Sequence, residues 1–186
     1  ERRVRDLSLQ TGDFAAGETL TFSYSDGSAD ETVLIPSPIN SAGQIADAIS
    51  AASGVSASGI TTAEINSTAN GASTGDTLNN TIASGSLEFS INGQPLNVSA
   101  VTTLDELANV ISSFGNNSIS ANVDSGNLVV RDSSGEPLDV QWGDGSSTNP
   151  IENTVGEIAV STNRSVDTVT SDVVGSQFVA TYNNTQ

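Results

Sequence analysis

The chain has 186 residues, the size of one ordinary domain or two small ones. Hydrophobic residues make up 35% and aromatic residues 4%, which predicts thin cores of Val, Ile, Leu and Ala. The 22 acidic residues against 5 basic ones give a net charge of −17. A polyanion of this kind repels DNA, RNA and anionic lipid, so we expect no nucleic-acid partner and no membrane partner.

The chain contains no Cys, His or Met. This excludes disulfides, the usual ligands of zinc, haem and iron–sulfur clusters, and any nucleophile–histidine arrangement. We therefore predict a protein that is not an enzyme, with no catalytic residue, no cofactor and no metal ligand. No stretch approaches the ~20 apolar residues of a membrane span, and the opening lacks a signal-peptide pattern. The start at Glu1-Arg-Arg-Val-Arg5 favours a fragment excised from a longer protein.

A strand–turn–strand pattern opens the first half of the chain. Residues 17–24 alternate in polarity, which predicts a strand with Leu20, Phe22 and Tyr24 on one face. Asp26-Gly27 marks a turn, and residues 31–35 predict the second strand of a hairpin.

A short amphipathic helix follows. Ser41-Ala-Gly-Gln44 has capping-box form. The helix is predicted to place an apolar face on a sheet and to end at Gly54, before an extended stretch at residues 55–57. That face consists of Ile45, Ala48, Ile49 and Ala52.

The same order of elements occurs again after a small, polar stretch at residues 66–81, which we interpret as a linker or long surface loop. Residues 85–91 predict a strand, Asn92-Gly93 a tight hairpin turn, and residues 95–98 its second strand.

The second helix has its own start signal, Thr103-Leu-Asp-Glu106. Its glutamate lies 106 − 44 = 62 positions after Gln44, and the apolar positions keep this offset, so the two helices align without a gap. Gly115 is predicted to end the helix, before an extended stretch at residues 119–121. The apolar stripe consists of Leu104, Leu107, Ala108, Ile111 and Phe114.

The remaining residues are strand-like. Ser125-Gly126 and Ser134-Gly135 are turn signals on either side of a strand at residues 127–131, and residues 143–150 form a loop. Residues 157–162 and 177–182 predict two further strands. The fold class is therefore a strand-dominated α+β protein, with two small β-β-α-β units that each pack one short helix on an antiparallel sheet.

We divide the chain into residues 1–80 and residues 81–186, one unit in each, with return strands at the end of the second. An arrangement in which one unit is inserted into a domain closed by the chain ends remains the alternative.

The repeated pattern resembles the flagellar hook IN motif. Phe89-Ser-Ile-Asn-Gly93, residues 96–98 and residues 102–111 match closely, and residues 126–130 resemble the strand that follows. The first copy matches more loosely, through residues 41–49 and 54–57, and it lacks the Asn-Gly turn. The resemblance covers roughly residues 17–140.

The resemblance implies a solvent-exposed variable domain of flagellin, located outside the bacterial cell on the flagellum. Its partners would be the parent flagellar protein and neighbouring filament subunits, and the isolated fragment would be a monomer. The chain lacks the long heptad-patterned terminal helices through which such proteins polymerise. O-glycans on exposed Ser and Thr would fit this family, with residues 67–81 as the candidate region. A hook-associated or cap protein domain is the alternative within the family.

A secreted adhesin module that binds calcium or carbohydrate is the alternative from another class. Acidic loops at residues 26–31 and at Asp139 and Asp144 offer oxygen ligands for calcium, but they lack EF-hand spacing, and turn chemistry explains them better. Four aromatic residues would have to meet to stack on a sugar, whereas we expect them in the core. They are Tyr24, Trp142, Phe178 and Tyr182.

Two further carboxylate pairs have simple structural explanations. Asp105 and Glu106 are explained by helix capping rather than by acid–base catalysis. Asp132 and Glu136 flank a turn and are predicted to be solvated.

Overall fold

The computed structural model describes residues 4–114, 117–151 and 154–185. Within these residues the protein is a strand-dominated α+β fold, with 39% strand, four α-helices and three antiparallel sheets on which helices pack. The predicted fold class is therefore confirmed. Contacts divide the chain into two compact units, each with its own hydrophobic core.

Unit 1 comprises Glu1–Thr61, Ser134–Pro137 and Gly156–Gln186. Leu20 pairs with Val33, and Phe22 pairs with Val169, so the buried residues of three strands share one face. The elements are β1 (Arg5–Gln10), β2 (Thr19–Tyr24), β3 (Glu31–Leu34), α1 (Ala42–Ile49), the first half of β4 (Val55–Asn66), β11 (Thr154–Thr162), β12 (Val166–Ser171) and α4 (Gln177–Asn184). One sheet has the order β12-β2-β3, and the strands β1-β11-β4 are part of the five-stranded sheet.

Unit 2 comprises Thr62–Ser133 and Leu138–Val155. Phe89 pairs with Trp142, and Ile91 pairs with Val140, with all four side chains buried. The elements besides the second half of β4 are α2 (Leu78–Ser84), β5 (Glu88–Ile91), β6 (Gln94–Pro95), α3 (Leu104–Ser112), β7 (Ile119–Asp124), β8 (Asn127–Asp132), β9 (Val140–Gly143) and β10 (Thr148–Pro150). One sheet has the order β10-β9-β5-β6, and the strands β4-β8-β7 are part of the five-stranded sheet.

The two units share one connectivity. Each has a hairpin, a helix, an antiparallel strand pair, and a strand that returns to pair with the first strand of the hairpin. The order is β2-β3-α1-β4-β11-β12 in unit 1 and β5-β6-α3-β7-β8-β9 in unit 2. Along the sequence, unit 2 runs from the second half of β4 to the first residues of β11, except for Ser134–Pro137, which belong to unit 1. The division into two domains at residues 1–80 and 81–186 stays a prediction.

The helix start signals are confirmed in both copies. The Ser41 hydroxyl accepts the backbone N–H of Gln44 at 3.1 Å, and the Thr103 hydroxyl accepts that of Glu106 at 3.2 Å. The Gln44 and Glu106 side chains reach back to the residue before each cap, accepting the backbone N–H of Asn40 at 2.9 Å and of Thr102 at 2.8 Å. Together these bonds satisfy backbone donors that would otherwise lack an acceptor.

A second contact repeats at the far end of each helix. Ser50 Oγ accepts the N–H of Ala57 at 3.0 Å and donates to its carbonyl at 3.2 Å. Ser112 makes the same pair of bonds to Ala121, again at 3.0 and 3.2 Å. The serines differ by 112 − 50 = 62 positions and the alanines by 121 − 57 = 64, so the connection between helix and strand is two residues longer in unit 2.

The hairpin turns also agree with the sequence. Asn92 and Gly93 have φ values of 52° and 78°, and Ser125 has 51°, the left-handed conformations that two-residue hairpin turns require. The strand predicted at residues 157–162 forms the greater part of β11.

Helix α1 is shorter than predicted. It ends at Ile49 with Ser50 as its C-cap, so Gly54 (φ 73°) belongs to the turn before β4 rather than to the helix end. Ala52 lies beyond the helix yet is buried in the core. Gly115, the predicted end of the second helix, lies outside the described residues.

Residues 177–182, predicted as a strand, form helix α4 instead. Phe178 and Tyr182 are four positions apart, so a helix places both on one face, and both are fully buried. Phe178, Ala180 and Tyr182 also occupy every second position, as the inward side chains of a strand do. The sequence pattern therefore fits both the helix period and the strand period.

The polar stretch at residues 66–81 is not a simple linker. Thr77 caps helix α2 by accepting the N–H of Asn80 at 3.0 Å, and Leu78 and Ile82 bury one face of the helix. Gly85 (φ 74°) is the C-cap of α2 rather than the start of a strand, and β5 begins at Glu88. The helix has only seven residues, too few for a clear apolar period.

Prediction one concerns Phe178, which lies 6.0 Å from Phe14 and 6.1 Å from Phe22 between ring centroids. We expect Phe178→Ala to lower the free energy of unfolding by about 3–5 kcal/mol, because it removes a buried ring and leaves a cavity. Urea unfolding monitored by circular dichroism measures the change. The control is Val174→Ala at a fully exposed valine, expected to stay within about 0.5 kcal/mol. Equal effects of the two variants would contradict this placement of α4.

Prediction two concerns Gly43 in α1, whose N–H donates to the carbonyl of Gly135 at 3.0 Å. A Cβ at residue 43 would collide with the Ser134 carbonyl oxygen and come within 3.4 Å of the Gly135 carbonyl carbon. Alanine has a helix propensity about 1 kcal/mol better than that of glycine. We nevertheless expect Gly43→Ala to lower the free energy of unfolding by about 1–2 kcal/mol, because the backbone at Ser134 would have to move. Chemical denaturation measures the loss. Gly12→Ala, where the new Cβ meets open space, is the matched control; a stabilised Gly43→Ala variant would contradict the close approach.

Candidate functional site

The acidic loop at residues 26–31 directs its oxygens at its own chain. Asp26 Oδ1 accepts the N–H of Ser28 at 2.9 Å. Glu31 accepts the N–H and the hydroxyl of Ser53 at 2.8 and 2.7 Å. Bonds from the Ser28 hydroxyl and N–H lower the pKa of Asp26, and bonds from the Ser53 N–H and hydroxyl lower the pKa of Glu31. These carboxylates stabilise turns.

The second predicted pair behaves in the same way. Asp144 Oδ1 accepts three bonds at 2.9 Å, from the N–H and hydroxyl of Ser146 and from the N–H of Ser147. These bonds, the Ser146 N–H first, lower the pKa of Asp144. Asp139 accepts weakly from Gln141 Nε2 at 3.4 Å. Among residues 4–114, 117–151 and 154–185, no three acidic side chains converge in a group that could hold a metal ion.

Asp105 and Glu106 lie in the first turn of α3, as predicted. Glu106 accepts the N–H and hydroxyl of Thr102 at 2.8 and 3.0 Å, and these bonds lower the pKa of its carboxyl. Its role is therefore capping. Asp132 is not solvated, contrary to prediction: it is 2% exposed, because it shares the inward face of β8 with Leu128 and Val130. Glu136 is exposed, as expected.

The aromatic residues lie in the cores, as predicted. Trp142 is 3% exposed in the core of unit 2, and Phe178 and Tyr182 are fully buried in the core of unit 1. Tyr24 is half-buried, and its hydroxyl donates to the Ser53 carbonyl at 2.9 Å. The four residues are divided between two cores, so they form no common stacking platform.

The candidate glycan region at residues 67–81 is an anchored loop followed by α2. Asn149, which is 5% exposed, accepts the N–H of Ser73 at 2.7 Å and donates to the Thr74 hydroxyl at 3.1 Å. Ser67 and Thr81, at its two ends, are each 1% exposed and so are inaccessible. Thr68 and Ser73 are exposed hydroxyl residues within the loop.

The sequence did not predict a groove on unit 2, which we name the β5–β9 groove. It has a volume of about 340 Å³ and lies along the sheet where β5, β6 and β9 meet. Its apolar lining includes half-buried Leu87 and Val98 together with buried Leu96. The full lining is Leu87, Glu88, Phe89, Ser90, Pro95, Leu96, Val98, Gln141, Trp142, Gly143 and Thr148. In the sequence, an apolar residue on a predicted strand looks the same whether it lines a groove or lies in the core. Only the structure distinguishes these two positions.

No protein-family model matches this chain, and no curated protein sequence matches it. Within the described ranges, each helix is too short or too polar to cross a lipid bilayer.

Prediction three concerns Glu31. We expect Glu31→Gln to be less stable than the parent at pH 7. The neutral amide would accept weaker hydrogen bonds from the Ser53 N–H and hydroxyl than the charged carboxylate does. Because folding lowers the pKa of Glu31, its carboxylate stabilises the folded state at pH values above the unfolded-state pKa of about 4.3. This stabilisation is lost as the pH falls through the folded-state pKa. The difference between parent and variant in urea unfolding should therefore shrink on acidification to about pH 3. Asp30→Asn carries the same charge change and is the control; a constant difference across pH would contradict the assignment.

Proposed function

We propose that this protein is a non-enzymatic, solvent-exposed structural domain of a bacterial flagellar filament protein, a variable outer domain of flagellin. The observation that carries the proposal is the duplicated unit, which resembles the hook IN motif at residues 89–111 and repeats its connectivity and helix-end contacts in both copies. The parent flagellar protein and neighbouring filament subunits would be its partners.

The packing of the two chain ends supports this proposal. Arg5 in β1 donates to the Tyr182 carbonyl at 3.0 Å, and its guanidinium lies 4.2 Å from the centre of the Tyr182 ring. Strand β1 and helix α4 are therefore in contact within unit 1, and this contact is compatible with a compact outer domain. In the sequence, the residues of unit 2 lie between the first and last segments of unit 1.

Charge and composition are consistent with an outward-facing role. The net charge of −17 promotes solubility and opposes association of such domains with one another. The acidic residues that lie in turns and caps satisfy backbone N–H groups, which stabilises loops without a large core. Its function would be to set the surface charge, antigenicity and thickness of the filament.

Prediction four is the location of the protein on its source cells. Immunogold electron microscopy with an antibody against this chain should label the filament along its whole length. Antibody absorbed beforehand with the purified chain is the control and should leave the filament unlabelled.

Two other outcomes would change the proposal. Gold confined to the hook junction or to the filament tip would assign the chain to a hook-associated or cap protein. Gold on the cell body beside bare filaments would contradict a flagellar role and favour a secreted adhesin.

A further inference from the structure

The β5–β9 groove combines an apolar floor with an open rim. Leu87 and Val98 are half-buried beside the core of unit 2, and Pro95 is exposed at the edge. A volume of about 340 Å³ is at the lower end for ligand sites and is enough for one or two large side chains.

One acidic residue, Glu88, lines the groove, and Asp144 directly follows the lining residue Gly143 in the sequence. The Glu88 carboxylate also lies close to the turn that follows Asp144. A Cβ built on Gly145 in that turn would lie 3.8 Å from Glu88 Oε1. Asp139 accepts from Gln141, which lines the groove on the neighbouring strand. None of the described lining residues is basic. Bonds from the Ser146 and Ser147 N–H groups and from the Ser146 hydroxyl lower the pKa of the Asp144 carboxyl.

We propose that the β5–β9 groove binds an extended cationic peptide segment, which inserts one large apolar side chain between flanking lysine or arginine residues. Charge complementarity selects this occupant. The negative charge of Glu88 disfavours anionic ligands, and a neutral apolar ligand would leave Glu88 without a counter-charge. This inference concerns a binding partner and does not depend on the flagellar proposal.

Trp142 provides a direct readout, since it is the single tryptophan of the chain and it lines the groove. Three tryptophan-free peptides of equal length are titrated into the full chain while Trp142 emission is recorded. The first alternates arginine with leucine, the second replaces leucine by serine, and the third replaces arginine by glutamate. We expect saturable 1:1 binding of the first peptide alone, weakened by added salt.

Paired variants separate the groove from the general acidic surface. Glu88→Gln should weaken binding roughly two- to fivefold and reduce its salt dependence, as expected for a partly exposed ion pair. Glu157→Gln makes the same charge change on an exposed residue of unit 1 and should have no effect. Leu87→Ala should weaken binding roughly tenfold through loss of apolar contact. Leu34→Ala, at an exposed leucine of unit 1, is its control.

Three results would overturn the proposal. Equal binding of the arginine–serine peptide would reduce the interaction to non-specific attraction, and equal binding of the glutamate–leucine peptide would remove the role of charge. Equal effects of Glu88→Gln and Glu157→Gln would place binding outside the groove. Thermal melts of each variant, compared with the parent, establish that a loss of binding is not a loss of folding.

Discussion

Unit 1 depends on the contact of the last described helix with strands near the start of the chain. Phe178 and Tyr182 complete a core to which Leu7, Leu20 and Phe22 contribute. Closing a loop of this length costs on the order of 4 kcal/mol in chain entropy. Burial of each aromatic side chain contributes about 1.5–3 kcal/mol, so the two together offset that cost.

Much of the chain between these contacts belongs to unit 2. Unit 2 supplies 62–133 and 138–155 of the intervening chain and has its own core. When these residues are already folded, the loop that remains to be closed contains far fewer free residues.

The sequence predicted those elements whose signals are local and mutually consistent. Helix α3 has a cap at Thr103, an apolar stripe and acids in its first turn, and all of them favour one structure. Helix α4 has no such agreement, because residues 177–182 fit a strand period as well as a helix period. The anchor of the polar loop, Asn149, is 75 positions away from Thr74, and no local pattern reveals a contact at that separation.

The second hairpin strand explains why unit 2 has a groove at this position. In unit 1, four residues of β3 pair with β2, and Ile35 N–H bonds to the Glu18 carbonyl at 2.8 Å. In unit 2, β6 ends at Pro95, which has no N–H to continue the ladder. After one bond from Leu96 N–H to the Phe89 carbonyl at 2.8 Å, the chain leaves the sheet.

The residues after Pro95 therefore line the sheet edge instead of extending it. Leu96 is buried and Val98 half-buried at the groove, whereas Ile35 in unit 1 is fully buried in the core. The second hairpin strand thus has four residues in unit 1 and two in unit 2. In unit 2, this difference leaves Leu87 and Val98 half-buried at the groove beside Glu88. A partner of opposite charge gains both apolar contact area and electrostatic attraction at such a place.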